Sequence, residues 1–498
     1  MLHYIDSISD IFHAVQSQDI FKDQKTMADA IPLMPIEEIN AAYLSSKDSK
    51  DFNLKEFVTK YFRLDMPVVF EVETSSHSLL PIEHHIEQLW TKLERSTIEN
   101  TGTRIKLPNT YVVPGGRFNE FFYWDSYYIM LGLEEYGKKD MILNMLDNAA
   151  HLISEYGFVP NGNRTYFLGR SQPPYFSLML QLYAKLESNE NDLLIKYLKV
   201  LEKEYKFWMK GENEDFETHF LRLTKMPNGE LLNRYYDNYD TPRPESYMID
   251  LKEAQNIDNK SNFYRNIRAA CESGWDFSSR WLEDSKDLKS IYTLDLVTPD
   301  LNALLWNTEN LLSEIYLLIN DKEKSEEYSI RAENRKKAIH KYLWSDEFKT
   351  YGDYHITKQK IVNTNHLGIA YPLFIGLASQ SQAECTKDII ENKFLYKGGL
   401  VTTTNSSGQQ WDSPNAWAPL QWIACKGLMN YGYYQTAKEI AQKWCSNVES
   451  TYKKTGKLME KYDAINTENI ATGGEYPNQD GFGWTNAIYI KMKKIFNL

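Results

Sequence analysis

A chain of 498 residues with 42% hydrophobic and 25% charged residues is long enough to bury a full core. Its formal net charge of −12 argues against nucleic acid or an anionic membrane surface as partner. Aromatic residues reach 14%, with 34 Tyr and 12 Trp, a surplus that suits either a large aromatic core or a cleft where sugar faces pack on rings.

The first 30 residues carry Asp6, Asp10, Asp19 and Asp23 and no apolar run, so no secretory leader is expected. The polar run 45–56 (SSKDSKDFNLKE) reads as a surface loop. From about 125 onward helical periodicity dominates. Helices are expected over 139–156, 190–209, 264–284, 382–393, 414–430 and 432–449, and Phe176, Met179, Leu180 and Tyr183 share a face behind Pro173-Pro174. Leu301, Leu304, Leu305, Leu311, Leu312 and Ile315 describe a helix apolar nearly all round. The segment 322–344 that follows is rich in Lys and Glu, with a thin apolar stripe at Tyr328, Ala332, Ile339 and Leu343. That alternation fits buried inner helices backed by half-exposed outer ones. Strand-like alternation is confined to short pieces such as 397–403.

Between the helices run long stretches rich in Gly, Pro, Asn and aromatics, at 101–124, 157–174, 225–246, 400–419 and 464–484. Loops of this length in a compact domain are usually functional. No linker and no recognisable repeat interrupts the chain, which reads as one domain. The four cysteines, Cys271, Cys385, Cys425 and Cys445, are scattered without a C-x-x-C, so neither a redox nor a zinc motif is present. Free thiols suggest a reducing compartment, and a cytoplasmic protein is expected.

No phosphate-binding loop, H-E-x-x-H or G-x-S-x-G elbow occurs. The chemistry is left to carboxylates, arginines and aromatics in six segments. These are PGGRFNEFFYWDSYY (114–128), PNGNRTYFLGRSQPP (160–174), TPRPESY (241–247), ESGWDFSSRW (272–281), QQWDSPNAWAP (409–419) and EKYDAINTENIATGGEYPNQDGFGWTN (460–486). Each mixes Gly or Pro with Trp or Tyr and with Arg, Asp or Glu. Charged groups leaving water need partners, and a neutral, hydroxyl-rich ligand provides them. Any one segment could be a packed loop with its own ion pairs; six together point to a site.

The first segment and QWDSPNAWAP resemble the two signature motifs of the trehalase family of glycoside hydrolases. The other four segments are similar to that family's active-site loops, in the same order, and DQKTMADAIP (23–32) is similar to its opening segment. The resemblance implies an all-α fold, an (α/α)6 barrel or six-hairpin toroid with long active-site loops. Residues 1–498 would form one catalytic domain, with 1–100 an N-terminal extension packed on the barrel. It implies hydrolysis of α,α-trehalose to two glucose molecules with inversion. Asp276 then matches the general acid and Glu460 the general base. Arg117, Trp124, Asp125, Asn161, Arg170, Ser171, Gln172, Arg243, Glu245, Gly274 and Glu475 match substrate contacts. Gln410 and Trp411, inside a signature motif, are expected to line the pocket. Only Gly473-Gly474 precede Glu475, where the family often has a longer glycine run.

The implied chemistry needs two carboxyls in opposite protonation states and neither metal nor organic cofactor. Burial can keep a proton on one, and an adjacent arginine can remove it from the other. The expected partner is trehalose alone, without nucleic acid or membrane, and a monomer is favoured. Three alternatives share features of this reading. A hydrolase of another α-glucoside would alter the binding arginines. A non-catalytic trehalose sensor would have lost Asp276 or Glu460. A phosphorylase would release glucose 1-phosphate only when phosphate is supplied.

Overall fold

The computed structural model describes residues 4–65, 79–97 and 99–498. Six helices form an inner ring: Tyr123–Glu135, Phe176–Ala184, Pro299–Leu318, Tyr371–Phe374, Ala418–Asn430 and Gly483–Phe496. Each touches the next, and the last returns to the first, so the ring closes. Outer helices back them: Lys139–Tyr156, Glu190–Trp208, Lys322–Tyr342, Gln380–Ile389 and Tyr434–Thr455 each follow an inner helix in sequence. The sixth outer position is filled from the other end of the chain, by Ile82–Lys92 packed on Gly483–Phe496. The fold is an all-α (α/α)6 barrel.

The two layers follow from composition. Tyr123–Glu135 buries every residue from Tyr123 through Leu133, so it has no polar face to turn outward. Lys322–Tyr342 buries only Tyr328, Ala332, Arg335, Ala338, Ile339 and Tyr342, a single stripe at helical spacing. Local signals set the ends. Pro299 and Pro419 sit in the first turns of their helices, where no amide donor is lost. Gly157 and Gly456 end Lys139–Tyr156 and Tyr434–Thr455 in the left-handed conformation.

Several boundaries differ from the sequence expectation. The helix expected over 264–284 runs Lys260–Ser273, because Gly274 caps it with φ +80°. The helix expected from 414 starts at Ala418; Asn415–Trp417 are instead a strand paired antiparallel with Lys461–Asp463. The run 45–56 is not one loop. It covers the end of helix Ile36–Ser46, a turn, and the start of helix Leu54–Tyr61, capped by Asn53. The strand piece at 397–403 shrinks to a hairpin of Leu395–Tyr396 with Gly399–Leu400.

The described residues up to 100 divide into two parts. Ile82, Ile86, Leu89, Trp90 and Leu93 belong to the barrel core. Residues from Ile5 to Phe62 build a separate small core, which also takes in Phe122, Tyr166 and Phe167 from barrel loops. That second core brings the N-terminal segment to one mouth of the barrel.

Candidate active site

The loops between helices converge on one cavity. Trp124 and Asp125 enter it from the first turn of Tyr123–Glu135. Asp276 reaches it because Gly274 stops the preceding helix. A Cβ at Gly274 would lie 2.8 Å from the Trp124 ring, so only bare backbone lets that indole pack there. The segment after Asp276 is docked on the QQWDSP segment. Trp411 donates its amide to the Phe277 carbonyl at 3.0 Å, and Asp412 accepts from Ser278 Oγ at 2.8 Å and from the Ser279 amide at 2.9 Å.

Glu460, the residue just before the strand Lys461–Asp463, reaches the same cavity. Its amide donates to the Gln479 carbonyl at 2.9 Å, and its carbonyl accepts from Trp484 Nε1 at 2.9 Å. Its Oε1 accepts from the Tyr476 hydroxyl at 3.0 Å. Its Oε2 is buried and has no hydrogen-bond partner among the described residues. That oxygen is free to take a proton.

Three carboxyls therefore face one cavity, Asp125 and Glu460 buried and Asp276 half-buried, and their surroundings differ. Burial pushes Asp276 up to about 7; Arg243 opposes this, and the Glu475 carboxylate adds to it. Burial also raises Glu460, but Lys461, the Tyr476 hydroxyl and Arg117 all favour its ionised form. Asp125 is held well above the ordinary carboxylate range by burial, with Glu460 and Asp276 adding repulsion. Like charges this confined cannot all ionise together.

Arginine forks line the walls. Arg170 donates to Asn161 Oδ1 at 2.7 Å and to Glu245 Oε1 at 2.8 Å. Burial would raise Glu245, but Arg170, Arg243 and Arg268 outweigh it and hold the carboxyl below its usual range. Arg243 joins Asp250 at 2.6 Å to Glu475 Oε1 at 2.8 Å, and Ser246 Oγ donates to Glu475 Oε2 at 3.0 Å. The short-glycine segment is thus tied down across the cavity. Arg117 lies over the Tyr476 ring at 4.6 Å and is gripped by both oxygens of Asp23, each at 2.8 Å. Indoles form the floor: Trp411 stacks on Trp417 at 4.0 Å and 2°, Trp275 stacks on its other side at 5.6 Å, and Trp484 stands edge-on.

Asp276, Glu460, Arg117, Trp124, Asp125, Asn161, Arg170, Gln172, Arg243, Glu245, Gly274, Trp411 and Glu475 all line this cavity. Two expected contacts stand behind it. Ser171 spends its amide on Glu272 Oε1 at 2.9 Å and its hydroxyl on the Val159 carbonyl at 2.7 Å. Gln410 donates to the Asp276 carbonyl at 2.5 Å and accepts from Lys461 at 2.8 Å. Sequence reasoning passed over Phe118, Tyr476, Trp417 and Trp484, which lie inside the quoted motifs, and Lys25, which lies in DQKTMADAIP. Their aromatic or basic character within those motifs was the available signal.

Asp29, Asp65 and Glu120 cluster closely enough to suggest a cation site. Protein cations already fill it. Arg164 reaches Glu120 and Asp65 at 2.7 Å each, Lys25 reaches Glu120 at 2.9 Å and also pairs with Asp29, and Arg104 pairs with Asp65.

A closed helical barrel that gathers carboxyls, arginine forks and stacked indoles around one cavity fits glycoside hydrolysis, which needs two carboxyls at one site. The trehalase family's sequence model matches residues 16–497. Periplasmic trehalase from Escherichia coli (strain K12 / DH10B) is 43% identical over 489 residues, 97% of this chain and 85% of that protein. Among solved structures, neutral trehalase from Saccharomyces cerevisiae is 29% identical with a TM-score of 0.64, covering 77% of this chain and 73% of that one. Mannosylglycerate hydrolase from Thermus thermophilus shares the fold at 17% identity and a TM-score of 0.54, over 82% of this chain and 99% of that one. The chain belongs to the trehalase family, and it is a glycoside hydrolase.

The same relatives overturn the expected cytoplasmic location, because the curated proteins matched are named periplasmic trehalases. Free thiols were a poor guide here. Cys271, Cys425 and Cys445 are buried and Cys385 is half-buried, so an unpaired thiol need not meet an oxidant. No helix among the described residues is long and apolar enough to cross a membrane.

Proposed function

We propose that the cavity hydrolyses α,α-trehalose with inversion, Asp276 acting as general acid and Glu460 as general base. One observation carries the reading. A half-buried carboxyl raised to about 7 and a second carboxyl with a free, buried oxygen face the same cavity.

Trehalose joins two glucose units through both anomeric carbons. Asp276, protonated near neutrality, donates its proton to the bridging oxygen as that bond breaks. Glu460 takes a proton from water at Oε2 while the water oxygen attacks the anomeric carbon from the opposite face. The proton lost by Asp276 and the one gained by Glu460 return through solvent between turnovers. The ligand is neutral, so the arginines serve as hydroxyl donors rather than counter-ions. Arg117, Arg170 and Arg243 are pre-oriented by Asp23, Glu245 and Asp250, which lowers the ordering cost of binding. Trp124, Trp411 and the neighbouring rings take the sugar faces. Asn161, Gln172, Asp125, Glu245 and Glu475 complete the hydroxyl contacts. The reaction as written uses no metal or organic cofactor. We take the chain as a single catalytic domain that works as a monomer, its N-terminal segment supplying Asp23 and Lys25 to the mouth.

Purified protein incubated with trehalose in phosphate-free, chelator-containing buffer should release free glucose. Glucose 1-phosphate appearing only with added phosphate would make it a phosphorylase. Cleavage of other α-glucosides but not trehalose would move the substrate.

A further inference from the structure

Lys461 is an expensive residue to bury. The residue is about 1% exposed, and no carboxylate pairs with its ammonium within ion-pair distance among the described residues. It is held by neutral acceptors and ring faces. Nζ donates to Gln410 Oε1 at 2.8 Å and to the Gly473 carbonyl at 3.0 Å, and it lies over Trp417 at 5.3 Å and Tyr476 at 5.4 Å. An apolar side chain of the same length would fill that space without desolvating a charge.

What the ammonium joins explains its presence. Gln410, its first acceptor, passes the link on by donating to the Asp276 carbonyl at 2.5 Å. Gly473, its second, belongs to the segment that carries Glu475 over the cavity. The same segment is held by Asn415, which donates to Thr472 at 2.9 Å, and by Asn478, which donates to Ala471 at 3.2 Å and to the Lys461 carbonyl at 2.9 Å. Lys461 itself follows Glu460 in the chain. One side chain thus touches, directly or through a single amide, the backbone of the proposed acid, the strand of the proposed base and the covering segment.

We propose that Lys461 is a positioning residue that sets the spacing of Asp276 and Glu460 and couples it to the placement of the Glu475 segment. The proposal rests on the reading of Asp276 and Glu460 as acid and base. The ammonium has a second consequence: it favours the ionised form of Glu460, together with Arg117 and Tyr476 and against Asp125.

The test compares Lys461→Met, Gln410→Met and Glu460→Gln with the wild type. Trehalose turnover is measured across pH, hydrogen exchange over residues 471–478, and thermal unfolding for each. Lys461→Met should lose about 10²-fold in kcat, the scale of a misplacement near 1 Å. Its acidic limb in kcat/KM should move to higher pH, and amides of 471–475 should exchange faster. Gln410→Met keeps the charge, so it should lose kcat and loosen the segment without moving that limb. A Lys461→Met enzyme with only a lowered melting temperature, and unchanged kcat, limb and exchange, overturns the proposal. If Lys461→Met does not fold, Gln410→Met decides: wild-type kcat and exchange there overturn it. An active Glu460→Gln enzyme would instead remove the acid–base reading beneath it.

Discussion

Glu475 pairs with the Arg243 guanidinium at 2.8 Å, and its charge adds to the desolvation that keeps a proton on Asp276. A residue that lines the cavity from the 471–478 segment therefore tunes the proposed acid. With Asp276 as the proposed acid and Glu460 as the proposed base, activity should fall as pH rises through about 7, where Asp276 loses its proton. Glu460 must be ionised, so activity falls as pH drops through its own pKa, and the profile is a bell. Glu475→Gln removes an anion beside Asp276 while Asp250 still holds Arg243. The alkaline limb of kcat/KM should then move to lower pH and the acidic limb should stay nearly in place. An alkaline limb that does not move, in a folded variant, would mean another group sets it.

Asp276→Asn and Glu460→Gln are nearly isosteric, and each should lower kcat by at least the roughly 10²–10⁴-fold typical of acid–base catalysis. Thermal unfolding should change little or rise, since both replacements remove a desolvated ionisable group. A variant that keeps more than about a tenth of the wild-type rate identifies the wrong residue, because that loss is below any general acid or base contribution. Glu475 is then the first candidate to replace the base and Glu245 the second, since both line the cavity.

Much of this site was readable in the sequence because its motifs are local runs: thirteen of the fifteen expected residues line one cavity. Ser171 and Gln410 show the limit. A motif places a residue near a site, but whether its side chain faces the ligand or the supporting layer depends on partners distant in sequence, such as Glu272 and Lys461. The two helical layers were legible in the alternation of apolar and amphipathic helices, and the six-hairpin barrel was implied by the family resemblance. The sixth outer helix was not, because Ile82–Lys92 pairs with Gly483–Phe496 from the far end of the chain and no local pattern records that closure. Helix ends failed where one glycine decided them.

Gly274 offers a direct check on that last point. An alanine there meets a left-handed backbone, a cost of about 1–2 kcal/mol. Its Cβ would also stand 2.8 Å from Trp124, adding the roughly 1–3 kcal/mol of overpacking. Gly274→Ala should lower the melting temperature and impair turnover together, because Trp124 and Asp276 are both displaced. Wild-type stability and rate would mean that the indole moves aside freely and that the glycine does not set the wall.

Arginine-to-lysine replacements separate binding from support. Arg117 is held by Asp23, Arg170 by Glu245 and Asp237, and Arg243 by Asp250 and Glu475, and all three also line the cavity. Lysine is a point charge and cannot do both in fixed geometry. Each Lys variant should lose kcat/KM, and Arg243→Lys should also release the Glu475 segment, seen as faster hydrogen exchange over 471–478. Full activity in all three would reduce these residues to structural ion pairs.

The stereochemical outcome tests the two carboxyl roles together. Inversion requires room for a water between the base and the anomeric carbon, and the two carboxyls are expected about 6.5–9.5 Å apart, against roughly 5–5.5 Å for a retaining pair. Asp276 and Glu460 approach from different loops, one after a helix capped by Gly274 and one on a strand paired with Asn415–Trp417, which allows such a gap across the cavity. Trehalose is α,α-linked. Attack by water at one anomeric carbon gives β-glucose there, and the departing unit keeps its α configuration. Proton NMR in the first moments of reaction, before mutarotation, should therefore show the two anomers in equal amounts. An early spectrum of α-glucose alone would mean a covalent glycosyl-enzyme and retention. Glu460 would then be a nucleophile rather than a base, even with trehalose as substrate, and its free Oε2 would be the atom that bonds to the sugar.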